Sequence, residues 1–254
     1  MVCKRSNEVR EAMALFHPMK LASDEIHLWL GSREVPGERW RRLDSVLSPD
    51  ERDRGGRLRR SEDRRRFVAA RGLLRHVLAA YAGAAPERLR FTYGPMGRPQ
   101  LARPHGADDL SFNVSHSRHV LLVGVARGRR LGVDLEPIRP LSRLGAIQRR
   151  VFSVGERETI DRLPAGERLT AFFSGWTRKE AFAKAVGDGV WASLGRVEVS
   201  VTPGEPARLL KLDGSSDAAA GWSLFHLEPA PGFIGAVAAE GRGLRLSVLR
   251  LDAR

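Results

Sequence analysis

Residues 119–136 read HVLLVGVARGRRLGVDLE. The aliphatic run 119–126 is far shorter than the ~18 residues that span a bilayer and has the length of a buried strand. Gly128-Arg129-Arg130 interrupts it, and 131–136 resumes as a second strand, so the spacing predicts a hairpin. Successive strand residues face opposite sides, which sets Asp134 and Glu136 on one face, about 7 Å apart along the backbone, and turns Leu135 into the core. Two carboxylates on one face repel unless a cation lies between them, and hard divalent ions such as Mg²⁺ take such oxygens. An edge strand showing acids to water gives the same pattern, so Asp-x-Glu alone leaves both readings open.

Downstream, apolar spacing predicts helices at 153–163 and 166–185, the second with Leu169, Phe172, Phe173, Trp176, Ala181 and Phe182 on one face. Gly187-Asp188-Gly189 stops it, as glycine past a helix C-terminus does. Strands follow at 197–201, 221–227 and 233–239. Upstream, 21–30 alternates as a strand. Ser48-Pro49-Asp50 is a helix start, and the helix runs on to Ala82 with Phe67, Val68, Leu73, Leu74, Val77, Leu78 and Tyr81 at spacings of three and four. A Gly/Pro-rich turn at 94–99 and a strand at 110–114 precede Ser115-His116-Ser117, read as a loop. Each half thus runs strand, helices, strands. The expected architecture is α+β, with two similar lobes forming a pseudo-dimer: an extension at 1–20, an N-terminal lobe at 21–128 and a C-terminal lobe at 129–254. No residue-level repeat is visible between the halves.

The chain has 254 residues and a net charge of +13, but five lysines stand against 38 arginines, a bias that owes as much to coding as to function. The charge is densest at 51–75, ten Arg against four acids, a stretch suited to phosphates or an acidic partner. One cysteine, Cys3, excludes an internal disulfide framework and a Cys-based zinc site. The N-terminus lacks the apolar core of a secretory signal, so a cytoplasmic protein with no membrane segment is expected.

Two further constellations accompany the paired acids. In WTRKEAFAKAV (176–186), Glu180 and Lys184 are helix neighbours at i, i+4. Glu180 would add a third carboxylate to the strand pair or serve as a general base, while an exposed ion pair is the plain alternative. In FNVSHS (112–117), the hydroxyls and imidazole of Ser115, His116 and Ser117 could hold a phosphate, the alternative being a structural histidine. A nucleic-acid binder would account for the charge but not for Asp134, Glu136 and Glu180, which repel a phosphate backbone, and aromatic residues are only 7% of the chain, too few for a stacking platform.

FNVSHS, GVDLEP (132–137) and WTRKEAFAKAVGDG (176–189), in this order and spacing, resemble the 4′-phosphopantetheinyl transferase superfamily. The two-lobe length resembles its single-chain, surfactin-type branch rather than the small trimeric holo-acyl-carrier-protein synthases. YGPMGRPQL (93–101) is similar to the family's glycine, basic residue, proline turn, and 48–75 to its Arg-rich helical region, so the likeness covers about 22–240. The resemblance implies transfer of the phosphopantetheine arm of coenzyme A to a serine of an acidic apo carrier protein, leaving adenosine 3′,5′-bisphosphate. It implies Mg²⁺ or Mn²⁺ on Asp134, Glu136 and Glu180, with Glu180 also the base. Lys184 would lie near the pyrophosphate, and Ser115, His116 and Arg98 would contact phosphates of coenzyme A. Arg54, Arg64 and Arg71 would join them, in a stretch that aligns in more than one register. Lys184 and His116 would act in catalysis through their charge, in a monomer serving polyketide, nonribosomal peptide or fatty acid carriers. A coenzyme-A-binding regulator without catalysis is the rival within the resemblance. Residues 1–20 have no counterpart in it, and Trp191 stands where a smaller aliphatic residue is expected.

Overall fold

The computed structural model describes residues 19–94, 97–102, 109–187 and 194–251. Residues 1–18 of the expected extension, Pro95 and Met96 of the Gly/Pro turn, and Asp188, Gly189 and Trp191 lie outside them. The first lobe runs β1 (Glu25–Ser32), α1 (Gly37–Ser45), α2 (Pro49–Gly56), α3 (Ser61–Ala82), a 3-10 turn at Pro86–Arg88, β2 (Phe91–Tyr93), β3 (Pro99–Leu101), β4 (Leu110–Ser117) and β5 (Val120–Arg127). The second runs β6 (Leu131–Pro137), α4 (Leu144–Val151), α5 (Val154–Arg162), α6 (Ala165–Val186), β7 (Val197–Val199), β8 (Leu209–Leu212), α7 (Ser216–Ala219), β9 (Trp222–Leu227), β10 (Phe233–Glu240) and β11 (Arg245–Arg250). Among the described residues no helix is long and apolar enough to cross a membrane.

The main sheets have strand orders β11-β1-β5-β4 and β6-β10-β9, so β1-β5-β4 and β6-β10-β9 repeat one arrangement. α3 and α6 are both 22 residues long, and both stop at a left-handed glycine, Gly83 at φ +61° and Gly187 at φ +84°. α3 packs on one face of the first sheet through Leu73, Val77 and Leu78 against Trp29, Leu121 and Val123. The other face, with Ile26, Leu28 and Leu122, meets Leu131, Val133, Leu135 and Val237 of the second sheet. α6 covers the far side through Phe172, Phe173 and Phe182 against Ile234, Ala236 and Ala238. The result is helix, sheet, sheet, helix, with strand alternation feeding a separate core on each side of each sheet.

The expected hairpin of 119–126 with 131–136 does not form. β5 pairs with β1 and β4, and β6 pairs with β10. Residues 120–126 are all buried, which suits a central strand with both edges taken, and the Gly128–Arg130 turn carries the chain from one sheet to the other. The helix expected from Ser48 to Ala82 is two, broken after Gly55-Gly56, and Ser115-His116-Ser117 ends strand β4 rather than forming a loop. α1, β2, α4, β8, α7 and β11 were not foreseen; β11 leaves the second lobe to pair in parallel with β1. A residue-level echo also emerges. α2 and α5 each open with a capping box, Ser48 with Glu51 and Ser153 with Glu156. Both glutamates are buried and reach the fifteenth residue of the next long helix, Glu51 to Arg75 at 2.6 Å and Glu156 to Lys179 at 2.8 Å.

Candidate active site

No backbone ladder joins β4 to β6 among the described residues, yet the two lie side by side at the seam of the lobes. Val133 seats where a side chain at Gly124 would stand, its Cγ1 2.7 Å from the Cβ that position lacks. Gly132 does the same for the helix: a Cβ there would strike the Ala181 carbonyl oxygen and come within 2.5 Å of the Ala185 nitrogen. A side chain at either position would push the layers apart, so these glycines permit the close approach that places α6 against β6.

Three elements meet at Asp134. The Lys184 ammonium of α6 donates to its Oδ1 at 2.6 Å, and the Ser115 hydroxyl of β4 donates to the same oxygen at 3.2 Å. Lys184 also donates to Ser115 Oγ at 3.2 Å. The lysine therefore pairs with the strand carboxylate, not with Glu180 one turn back as an isolated helix pair would. Asp134 is 5% exposed, and its Oδ2 is buried without a hydrogen-bond partner. Burial, then the Asp134 and Glu136 charges partly offset by Lys184, push the Glu180 carboxyl up to about 7. Burial and Asp134 likewise raise Glu136, against Arg139 and Lys184. The Asp134 charge thus reaches both Glu136 on its own strand and Glu180 on α6, as like charges close together do.

The donor set is all oxygen, and an orphaned buried carboxylate oxygen on Asp134, beside two glutamates whose carboxyls that acid helps to raise, fits a hard divalent cation. Among the described residues, no three His, Cys, Asp or Glu side chains are already grouped as a metal cage.

The other expected residues fall in different places. His116 follows Ser115 on β4 and so points to the opposite face; it keeps an exposed surface, while desolvation of its ring and the Arg33 and Lys184 charges hold its pKa below the ordinary value. Arg98 is half-buried, and its guanidinium donates to the carbonyls of Lys184 at 2.5 Å, Leu131 at 2.9 Å and Phe112 at 3.4 Å, bracing α6, β6 and β4 together. Burial lowers its pKa. Arg71 donates to Glu51 and to the Tyr93 hydroxyl, both at 2.5 Å, and its guanidinium lies 4.4 Å from the centre of the Phe91 ring. Arg54 is exposed over the Phe67 ring, and Arg64 is exposed in the first turn of α3. Arg178 and Lys179, inside the same helical motif as Glu180, turn away. Arg178 bonds Ser200, and burial pushes its pKa down to about 10; Lys179 bonds Glu156 and the Val197 carbonyl.

A cleft of about 540 Å³ continues along the seam, lined by Arg98, Gln100, Phe112, Arg129, Arg130 and Ala185 among others. One buried polar residue of this seam was not singled out from the sequence. Asn113 accepts a hydrogen bond from the Val133 N–H at 2.9 Å. Its signal was an amide residue amid strand formers, where asparagine is depleted.

Residues 130–238 match the 4′-phosphopantetheinyl transferase superfamily, and residues 34–127 match the 4′-phosphopantetheinyl transferase N-terminal family. The 4′-phosphopantetheinyl transferase HetI of Nostoc sp. is 40% identical over 225 residues, 89% of this chain and 92% of HetI. The Synechocystis sp. relative slr0495 is 36% identical over 153 residues, 60% of this chain and 62% of its own. The 4′-phosphopantetheinyl transferase AcpT of Escherichia coli K12 is 34% identical over 128 residues, 50% of this chain and 60% of AcpT. Two family matches, one in each lobe, meet at the seam where β4, β6 and α6 bring Ser115, Asp134 and Lys184 together, and the HetI likeness runs through both: the chain belongs to the 4′-phosphopantetheinyl transferase family, enzymes that move phosphopantetheine from coenzyme A to carrier proteins.

Proposed function

We propose that this transferase acts on an acidic apo carrier protein in a reaction that depends on Mg²⁺, with Mn²⁺ able to replace it, and that releases adenosine 3′,5′-bisphosphate. The observation that carries this reading is the junction of Ser115, Asp134 and Lys184, with Glu136 and Glu180 beside it. In the reaction the carrier serine oxygen bonds to the phosphorus bearing the pantetheine arm, and the pyrophosphate P–O bond breaks. The serine proton passes to Glu180, and the bond electrons leave on the nucleotide phosphate. Such a transfer needs charge neutralised and the attacking oxygen held in line.

Asp134, Glu136 and Glu180 would hold the cation, which supplies charge neutralisation at the pyrophosphate. Lys184 adds positive charge at the phosphates and Ser115 a hydroxyl, while His116, on the other face of β4 with its pKa held below the ordinary value, would offer a ring N–H rather than a full charge. Arg98 holds the last turn of α6 against β4 and keeps its own charge near the same phosphates. The exposed Arg54 and Arg64 suit the 3′-phosphate of coenzyme A or the acidic carrier face, while Arg71 supports that surface from its bond to Glu51. The lobes at 21–128 and 129–254 would contribute unequally, with phosphate contacts mostly from the first and acids from the second. One chain would then hold a whole site, which favours a monomer; the proposed setting is the cytoplasm and the proposed substrates are polyketide, nonribosomal peptide or fatty acid carriers.

The test is intact-mass spectrometry of apo carrier proteins incubated with the enzyme, coenzyme A and Mg²⁺. A gain of one phosphopantetheine, abolished by EDTA and by a folded Asp134→Ala variant, is expected. A gain that persists in EDTA or in that variant would remove the metal assignment. Coenzyme A bound with no gain on any carrier would favour the non-catalytic regulator.

A further inference from the structure

The seam between β4 and β6 is held by side chains in a graded series. Arg98 takes the Phe112 and Leu131 carbonyls, Asn113 takes the Val133 N–H, and Ser115 takes Asp134. Each step moves one or two residues along both strands, so the Asn113 bond is the rung beside the active one. Asn113 is buried, and its oxygen accepts from the N–H immediately before Asp134. On β4, residues 113 and 115 share a face, so the amide and the Ser115 hydroxyl address β6 together. Among the described residues no backbone ladder sets the register of β6 against β4, and this bond ties the backbone just before Asp134 to the strand that carries Ser115.

We propose that Asn113 is a positioning residue for the transfer reaction: it sets the register of β6 on β4, and through it the Ser115–Asp134–Lys184 contact. The proposal rests on the transferase reading above. Losing the acceptor frees Val133 to shift, and a displacement well under a residue would break a contact of 3.2 Å.

The experiment is a double-mutant cycle in the full chain with Asn113→Ala and Ser115→Ala, measuring kcat and KM for coenzyme A on an apo carrier, with circular dichroism to verify folding. Asn113→Ala should lower kcat at least tenfold while KM for coenzyme A moves less than threefold, because His116 and Lys184 stay on their own elements. In the Ser115→Ala background the same change should cost less than threefold. An Asn113→Ala enzyme with unchanged kcat, or full additivity of the two losses, would overturn the proposal, since a residue that merely stabilises the fold acts independently of Ser115. Asn113→Asp keeps an acceptor oxygen at the same reach and guards against an alanine variant that does not fold. It should hold kcat within fivefold of wild type, and a loss beyond tenfold would also overturn the proposal. Failure of the wild-type chain to load any carrier would instead sink the transferase reading and this inference with it.

Discussion

Glu51 is 2% exposed, and its two oxygens accept from Ser48 N, Arg71 and Arg75. Burial alone would raise its carboxyl, but the Arg75 bond, the Arg71 charge and the Ser48 N–H outweigh it and hold the pKa below the ordinary 4.5. A carboxyl depressed on folding contributes stability that is complete above its unfolded pKa and lost as the pH falls through the folded one. Glu51→Gln leaves Arg75, 1% exposed, without its counter-ion, a loss of about 3–5 kcal/mol by analogy with other broken buried pairs. Urea midpoints from pH 7 down to 3 should therefore show a large gap between wild type and variant near neutrality that narrows below about pH 4.5. A constant gap, or none, would mean the pair carries no such linkage. At this scale the sequence was legible in part. The capping pattern Ser48-x-x-Glu51 is local and readable, whereas the choice of Arg71 and Arg75 as partners, 20 and 24 residues away, is made by the packing of α2 on α3.

α6 shows what an element adds. Its apolar face and its glycine stop were plain from periodicity, and its bounds differ little from those expected. Its distance from β6 was not. That distance depends on Gly132, whose missing side chain lets the helix backbone touch the strand and brings Lys184 within 2.6 Å of Asp134. Gly132→Ala should push α6 outward, lower stability by about 1–3 kcal/mol as overpacking does, and reduce transfer at least tenfold. Thermal melts and carrier loading on the same preparation check both parts. Wild-type loading by the alanine variant would show that the site tolerates a looser helix.

For the whole molecule, the layer between the sheets matters most. Ile26, Leu28, Leu122, Val133, Leu135 and Val237 form one core drawn from both lobes, and β11 ties the end of the second lobe to β1 of the first. Calorimetry should then record one cooperative transition, and Leu122→Ala, cutting a fully buried side chain, should lower its stability by about 2–5 kcal/mol without splitting it. Two separated transitions would show lobes that fold independently.

The sequence by itself determined the α+β class, the two-lobe order, the long helices and the face on which Asp134 and Glu136 project, because each rests on the two- or four-residue period of a local backbone. The motifs also sufficed to indicate the family. Only the tertiary structure decided that β5 and β6 part into different sheets, that Lys184 takes Asp134 rather than Glu180, that Arg98 is bound to three carbonyls and Arg71 to a buried glutamate, and that Asn113 joins the lobes. Those are choices among partners far apart in the chain. Local dihedral preferences and periodicity do not encode them; close packing and the need to satisfy every buried polar group do.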